Sequence, residues 1–276
     1  MSAQPREITL TTMSRAHLLT LALPLALPAV LLTACSSTSQ APDTVAPDFT
    51  PGQGQLKAGT NVYPAGPYGI SVGSSIANYD FLGFANAVVS HDANNLQPVQ
   101  LADFYNPHVD DATYTPVDAA HDDRLFPPGS ALGAGQPKPR VLLIDVGSVW
   151  CPPCNDEAKT VLPAQHAKYA KCGGGILEML ADGPTPGTAA TPAQLVAWTT
   201  KYKVDFPSAL DPASKLNALF SQDAFPANII VDTRTMKIVE SINGEPDPTD
   251  TAKGGGADFW KLYEKTLNNP TCLAGG

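Results

Sequence analysis

The chain of 276 residues is long enough to bury a sizeable core in one domain with insertions. Its formal net charge of −9 argues against nucleic acid or an acidic lipid surface as a partner. The 27 prolines indicate many loops, or rigid ones. The chain also has five cysteines, and thiols in an oxidising compartment usually pair.

Residues 1–34 predict a secretory signal rather than part of the fold. Arg6 and Arg15 give a basic start, and the apolar run at 18–32 is short and interrupted by prolines, which disfavours a membrane span. Small residues and then Cys35 follow, an order that resembles the lipobox of bacterial lipoproteins. By that resemblance the chain is cleaved before Cys35, which is lipidated and anchors the protein to a membrane. The alternative is an ordinary signal peptide in which Cys35 has no role.

Residues 35–59 are rich in proline, glycine and small polar side chains, without periodicity, and predict a flexible tether. The folded domain is expected over residues 60–276, with its core at 140–268. In the first part of this domain, 76–84 is expected to be a strand or hairpin arm and 99–104 its partner or a short turn. Residues 108–124 and 126–139 are expected to be loops.

A clearer pattern of secondary structure begins at Arg140. A strand is expected at 141–146, followed by a helix at 155–171 that Pro163 kinks and that ends at the glycines 173–175. A second strand is expected at 176–180, and then a helix from Pro192 to about Tyr202 that Thr191 caps. The remaining expected elements are an extended segment at 204–207, a helix at 213–220, strands at 228–232 and 236–242, and a helix at 258–267. This order, β-α-β-α-β-β-α, predicts a parallel strand pair with a right-handed crossover and a closing antiparallel hairpin.

The most informative motif is the run from Trp150 to Cys154, Trp-Cys-Pro-Pro-Cys, between the first of these strands and the helix. Two thiols at this spacing can form a small disulfide ring and open it again. Cys151 lies where free backbone N–H groups and the helix dipole stabilise a thiolate, the nucleophile of disulfide exchange. The alternatives are a structural disulfide or a zinc site, although the sequence has no second Cys-x-x-Cys or close His pair to complete one.

This arrangement resembles the thioredoxin fold and is similar to the extracytoplasmic thiol–disulfide oxidoreductases of the TlpA/ResA type. The resemblance implies an α/β fold, with a central mixed β-sheet flanked by helices and an N-terminal extension, and no cofactor. It implies that Cys151 forms a mixed disulfide with a partner protein and that Cys154 resolves it. The expected partners are extracytoplasmic protein thiols and disulfides and a membrane electron donor. The resemblance implies a reductase in the cell envelope, facing the periplasm or the exterior, and the alternatives are an oxidase or an isomerase.

Two acidic residues match positions of this family. Asp145, six residues before Cys151, corresponds to a buried carboxyl of thioredoxin that accepts the proton of the second cysteine. Glu157, three residues after Cys154, corresponds to a glutamate of the TlpA/ResA subgroup that tunes the thiols. For Glu157 the alternative is a solvated carboxylate in the first turn of a helix.

Phe225 and Pro226 correspond to the family's cis-proline segment, which faces the cysteine pair just before a strand. Together with Trp150 they are expected to shape the groove in which a substrate docks. The alternative is an ordinary trans proline at a strand edge. One departure is Pro163, which lies nine residues after Cys154 instead of about five, so the helix kink is displaced by about one turn.

Cys172 and Cys272 lie at the ends of the first and last helices of the core. In the thioredoxin fold these ends are neighbours, so the resemblance implies a structural disulfide between them. The alternative is two unpaired, buried thiols.

Two rival functions belong to other classes. Copper-handling proteins of this fold use Cys-x-x-x-Cys and a later histidine, whereas this chain has the shorter spacing and no histidine after His166. A binding module with an inert disulfide is the other rival, because His91, His108 and His121 lie near aspartates that could hold a cation. A solvated acidic loop is the preferred interpretation there, and no metal site is predicted.

Overall fold

The structure is a computed structural model that describes residues 63–85, 92–118, 121–212, 214–216 and 224–274. The predicted signal at 1–34, the lipidation site Cys35 and the tether at 35–59 lie outside the described residues, as does most of the helix expected at 213–220. None of the helices in the described ranges is long and apolar enough to cross a membrane.

A mixed sheet of seven strands lies at the centre of the described residues. The strands are β1 (Asp80–Phe84), β2 (Gln97–Gln100), β3 (Val141–Ser148), β4 (Gly174–Asp182), β5 (Ser208–Leu210), β6 (Ala227–Asp232) and β7 (Lys237–Asn243). Their spatial order is β2-β1-β5-β4-β3-β6-β7. β3, β4 and β5 are parallel, β6 and β7 form the expected antiparallel hairpin, and β1 is antiparallel to both β2 and β5.

Five α-helices accompany the sheet in the part of the chain that the structure describes. They are α1 (Pro152–Asp156), α2 (Leu162–Tyr169), α3 (Pro192–Tyr202), α4 (Gly256–Leu267) and α5 (Pro270–Ala274). A π-helical turn, Glu157–Val161, joins α1 to α2. α3 begins as the sequence predicts, since Thr191 forms a capping box with Gln194 and a proline occupies the first turn.

The central strand β3 is buried along its whole length, which explains its nearly continuous apolar sequence. Leu142, Ile144 and Val146 pack on one face of the sheet with residues of the N-terminal extension. Val141 and Leu143 pack on the other face with residues of α2 and α4. Asp145 continues the alternation of Val141 and Leu143 along the strand, so its side chain points to the face that α2 and α4 cover.

Several boundaries differ from the sequence-based expectation. Only Gly173 ends the preceding helix, with a φ of 95°, while Gly174 and Gly175 already belong to β4. Position 174 of this strand requires a glycine, because a Cβ there would lie 2.7 Å from both the Tyr169 Cβ and the Tyr263 hydroxyl. The expected extended segment at 204–207 leads directly into β5, which was not predicted as a strand and begins at Ser208. The short helix α5 was not predicted.

Pro163 shows how the displaced kink is accommodated. Pro163 has no N–H to donate to the preceding turn, and the helix just before it widens into the π-helical turn, in which the Leu162 N–H donates to the Glu157 carbonyl. The predicted helix is therefore two α-helical segments joined by a wide turn. This turn places Glu157 on the buried side of the helix.

Candidate active site

Cys151 and Cys154 form a disulfide at the junction of β3 and α1, with their Cα atoms 5.3 Å apart. Cys151 is the N-cap of α1, and its Sγ accepts the Cys154 N–H at 3.2 Å. Pro152 and Pro153, which lie between them, have no N–H, so the Cys154 amide supplies the first turn's hydrogen bond to this sulfur. The geometry favours a thiolate on Cys151 once the disulfide opens.

Both cysteines are buried in this oxidised form, since Cys151 is 1% and Cys154 3% exposed. They belong to an apolar cluster with Phe84, Leu180 and Trp198, against which Trp150 and Phe225 also pack. A partner's sulfur can reach them only when side chains beside the disulfide move. The half-buried rings of Trp150 and Phe225 are the best placed to do so, because they meet edge to face with centroids 6.0 Å apart.

The predicted docking residues lie next to this disulfide. The Phe225–Pro226 peptide bond is cis, and β6 begins at the following residue. The Trp150 indole N–H donates to Asp182 Oδ2 at 3.1 Å, and the same oxygen accepts the Gly187 N–H at 2.8 Å. Asp182, at the end of β4, therefore fixes the Trp150 ring, a role that the sequence analysis missed.

An open groove of about 660 Å³ runs from Trp150 along the start of the cysteine-bearing helix to α3. Its lining residues are Trp150, Pro152, Asn155, Asp156, Lys159, Lys201 and Tyr202. Asn155 organises its floor, because its amide donates to the Val149 and Cys151 carbonyls at 3.1 and 2.7 Å and its Oδ1 accepts from the Tyr202 hydroxyl. The groove is a surface beside the disulfide to which an extended peptide segment can bind.

Asp145 lies below the disulfide and is 4% exposed. Its Oδ1 has no hydrogen-bond partner among the described residues. Burial, and then the neighbouring Glu178 carboxyl, raise the pKa of Asp145 well above its ordinary value. A protonated Asp145 can act as an acid, and an ionised one is a strong base, which are the two states that proton exchange with a thiol requires.

Gly147 leaves the space between Asp145 and Cys154 free of a side chain of its own. A Cβ on Gly147 would lie 3.3 Å from the Cys154 Cβ, 3.7 Å from the Cys154 Sγ and 4.0 Å from Asp145 Oδ2. The carboxyl and the sulfur therefore border the same small space. This juxtaposition supports the predicted proton exchange between Asp145 and Cys154, directly or through one water molecule.

Substitution of Gly147 tests the importance of this space. We expect Gly147→Ala to slow the step in which Cys154 resolves a mixed disulfide by about tenfold or more, because the added methyl group lies between sulfur and carboxyl. The rate of mixed-disulfide formation at Cys151 should change less. Rapid-mixing kinetics of the reduced protein with Ellman's reagent separate the two steps, because each releases one aromatic thiolate. Equal rates for the variant and the natural protein would show that proton exchange does not use this space.

Glu157 is 1% exposed, so it is not the solvated first-turn carboxylate of the alternative interpretation. Neither carboxyl oxygen has a hydrogen-bond partner within the described part of the chain. Burial and then the Asp145 charge raise the pKa of Glu157 well above its ordinary value, with the nearby Asn228 amide opposing the rise. Glu157 and Asp145 thus influence each other's protonation beneath the cysteines.

Glu178 is a third buried carboxyl that the sequence analysis passed over. It lies on β4 opposite Asp145 in the parallel register and is 2% exposed. The Trp198 indole N–H donates to its Oε1 at 2.7 Å, and the Ser208 hydroxyl donates to its Oε2 at 3.3 Å. An acidic residue in the middle of the apolar stretch 176–180 was the available signal. In the described ranges no three His, Cys, Asp or Glu side chains are arranged to hold a metal ion.

Cys172 and Cys272 form a second disulfide, which joins two residues 100 positions apart in the sequence with their Cα atoms 5.6 Å apart. This is the pairing that the resemblance implies. Cys172 is buried among residues of α2 and α4, and the Asn269 amide donates to its carbonyl at 3.0 Å. This disulfide ties the C-terminal segment to the end of the cysteine-bearing helix.

Comparison with known proteins finds similarity in structure only. No family model and no curated protein matches the chain. A Chlorobium tepidum protein named as a thiol:disulfide interchange protein, DsbE, is 15% identical with a TM-score of 0.47, covering 72% of this chain and 100% of that one. The exposed lipoprotein thioredoxin of Streptococcus pneumoniae is 14% identical with a TM-score of 0.40, covering 68% and 99%.

A secreted disulfide oxidoreductase of Mycobacterium tuberculosis is 16% identical with a TM-score of 0.33, covering 46% of this chain and 81% of that one. The assignment of the fold depends on this chain's own topology. The parallel pair β3 and β4 is joined through the cysteine-bearing helix, and the antiparallel hairpin of β6 and β7 lies on the other side of β3. With the disulfide at the end of β3, this arrangement identifies a thioredoxin fold that carries an N-terminal extension.

Proposed function

We propose that the protein is a thiol–disulfide oxidoreductase that reduces disulfides of extracytoplasmic proteins through Cys151 and Cys154. The observation that carries the proposal is the position of this disulfide, at the start of a helix and directly above buried carboxyls. A purely structural disulfide requires neither the amide directed at Cys151 Sγ nor an adjoining acid with a raised pKa.

The reaction begins with both cysteines reduced. The Cys151 thiolate attacks one sulfur of a partner disulfide, so a bond forms between the two proteins and the other partner sulfur leaves as a thiolate. Cys154 then gives its proton to Asp145 and attacks Cys151 Sγ. This step breaks the mixed disulfide, releases the second partner sulfur and forms the bond between Cys151 and Cys154. The partner gains two electrons and this protein loses two.

Trp150 and Phe225 are the proposed docking side chains. They are large, half-buried and adjacent to the cysteines, and the groove beyond Trp150 can receive the partner's chain on either side of its cysteine. Asp182 holds the Trp150 ring by its indole N–H, which keeps this ring in place beside the disulfide between turnovers.

Reduction of insulin by dithiothreitol tests the proposal. The protein should accelerate the precipitation of insulin chains, and Cys151→Ser should abolish the acceleration because the nucleophile is absent. A variant with both Cys172 and Cys272 replaced by alanine is the matched control, since it loses a disulfide of similar chemistry outside the site and should keep the activity. An inactive natural protein whose Cys151–Cys154 disulfide resists reduction would overturn the proposal.

The proposal extends to location and electron supply. Cleavage before Cys35 and its lipidation would hold the domain at the membrane of the cell envelope, on a tether of residues 35–59. A membrane electron donor would then return Cys151 and Cys154 to the reduced state. Replacement of Cys35 by serine should prevent incorporation of radiolabelled fatty acid and release the protein from membranes. Labelling that survives this replacement would contradict the anchoring site.

A further inference from the structure

Glu178 stands out as a buried acid that the mechanism above does not use. It lies in a row of polar side chains that crosses three adjacent strands in register, with Asp145 opposite Glu178 on one side and opposite Asn228 on the other. Paired positions on neighbouring strands point to the same face of a sheet. The carboxyls of Asp145 and Glu178 are therefore neighbours below the cysteines.

The groups that face Glu178 come from each element packed against it. β3 contributes Asp145, β5 contributes Ser208 and α3 contributes Trp198. The π-helical turn contributes Glu157, whose pKa is raised first by burial, then by Asp145, and less by Glu245 and Glu178. No salt bridge within the described residues involves Asp145, Glu157 or Glu178, so their negative charges are not neutralised by an adjacent lysine or arginine.

We infer that Glu178 is a positioning residue that shares protons with Asp145 and thereby sets the pH range in which Cys154 resolves the mixed disulfide. This inference rests on the proposed function and assigns to it a residue outside the set predicted from the sequence. The Glu178 carboxyl oxygens accept hydrogen bonds from Trp198 and Ser208. Glu178 acts through the charge that it places beside Asp145, the group that takes the Cys154 proton.

Electrostatics gives the direction of this effect. Two neighbouring carboxyls in a buried setting cannot both ionise easily, so an ionised Glu178 keeps Asp145 protonated to higher pH. Burial raises the pKa of Glu178 to about 7, against the opposing hydrogen bonds from Trp198 and Ser208. Glu178 is therefore expected to change its charge within the pH range tested below.

Glu178→Gln separates charge from shape, because the amide keeps the size of the side chain and an oxygen that can accept the Trp198 N–H. Reduced protein is mixed rapidly with Ellman's reagent between pH 5 and 9. In the first phase Cys151 displaces one aromatic thiolate, and in the second Cys154 displaces the other. We expect the half-maximum of the second phase to move to lower pH by about one unit in Glu178→Gln, with little change in the first phase.

Asp103→Asn is the matched control. Asp103 is a half-buried carboxyl, with a pKa raised by burial to about 6, but the groups that act on it are Gln100, Lys138 and Asp80. Its replacement should leave the pH dependence of the second phase unchanged. An unchanged profile in Glu178→Gln, or an equal shift in Asp103→Asn, would overturn the inference. Absence of the first phase in the natural protein would instead contradict the proposed function itself.

The pH dependence of unfolding gives a readout that does not depend on activity. Because the folded-state pKa of Glu178 is raised, its contribution to stability is fully present below the ordinary glutamate pKa and is lost as the pH rises through about 7. Glu178→Gln should therefore unfold at higher denaturant concentration than the natural protein at pH 8 and show a smaller loss between pH 5 and 8. An equal loss in both proteins would mean that Glu178 does not titrate in this range.

Discussion

Cys154→Ser is expected to accumulate covalent complexes with partner proteins. Cys151 can still attack a partner disulfide, but the serine hydroxyl cannot displace the partner's sulfur, so the mixed disulfide persists. Turnover in the insulin assay should fall by about a hundredfold or more. Non-reducing electrophoresis of cell-envelope extracts should show bands of higher mass that contain this protein and disappear on reduction.

The matching variant Cys151→Ser should trap far fewer partners. The backbone N–H of Cys154 itself donates to Cys151 Sγ, so it stabilises a thiolate on Cys151 and not on Cys154. The comparison therefore assigns the two roles separately. Equal trapping by both variants would show that the roles of nucleophile and resolving cysteine are not divided as proposed, and trapping by Cys151→Ser alone would reverse them.

The sequence was sufficient to predict the core of the fold. β3, the capped helix α3, the hairpin of β6 and β7 and the helix α4 each have a local signal, either apolar periodicity or an end signal such as Thr191 before a proline. The N-terminal pair β1 and β2 was predicted less clearly, because β1 is short and only partly buried. Its place beside β5 depends on strand order, which the local sequence does not encode.

The environment of the candidate site was harder to predict than its cysteines. Glu178 matters because the register of β3 and β4 sets it opposite Asp145, and register is a property of two distant segments. The burial of Glu157 depends on the π-helical turn, for which the displaced Pro163 was the only signal. The bond between Trp150 and Asp182 joins two strand ends that lie apart in the sequence. In each case the decisive contact is between residues that no local pattern relates.

Loss of the second disulfide is expected to lower the stability of the protein without lowering its activity, because this disulfide lies outside the site. Replacement of Cys172 and Cys272 by alanine should lower the free energy of unfolding by about 3–5 kcal/mol, since a bond across a sequence separation of 100 residues restricts the unfolded chain strongly. The fold itself should persist. Arg140 donates to the Leu267 carbonyl at 2.9 Å and Arg234 donates to the Thr266 carbonyl at 2.6 Å, so the end of α4 remains attached to the sheet.

Guanidinium unfolding, followed by far-ultraviolet circular dichroism with Cys151 and Cys154 oxidised in both proteins, measures this loss. The insulin assay at a temperature where both proteins are folded should give equal rates, because Cys172 and Cys272 belong to a different apolar cluster from Cys151 and Cys154. A variant that unfolds at the same denaturant concentration would mean that the unfolded chain is already compact around these residues. A variant that is fully folded but inactive would place Cys172 and Cys272 in the path of electron transfer, which the proposed mechanism excludes.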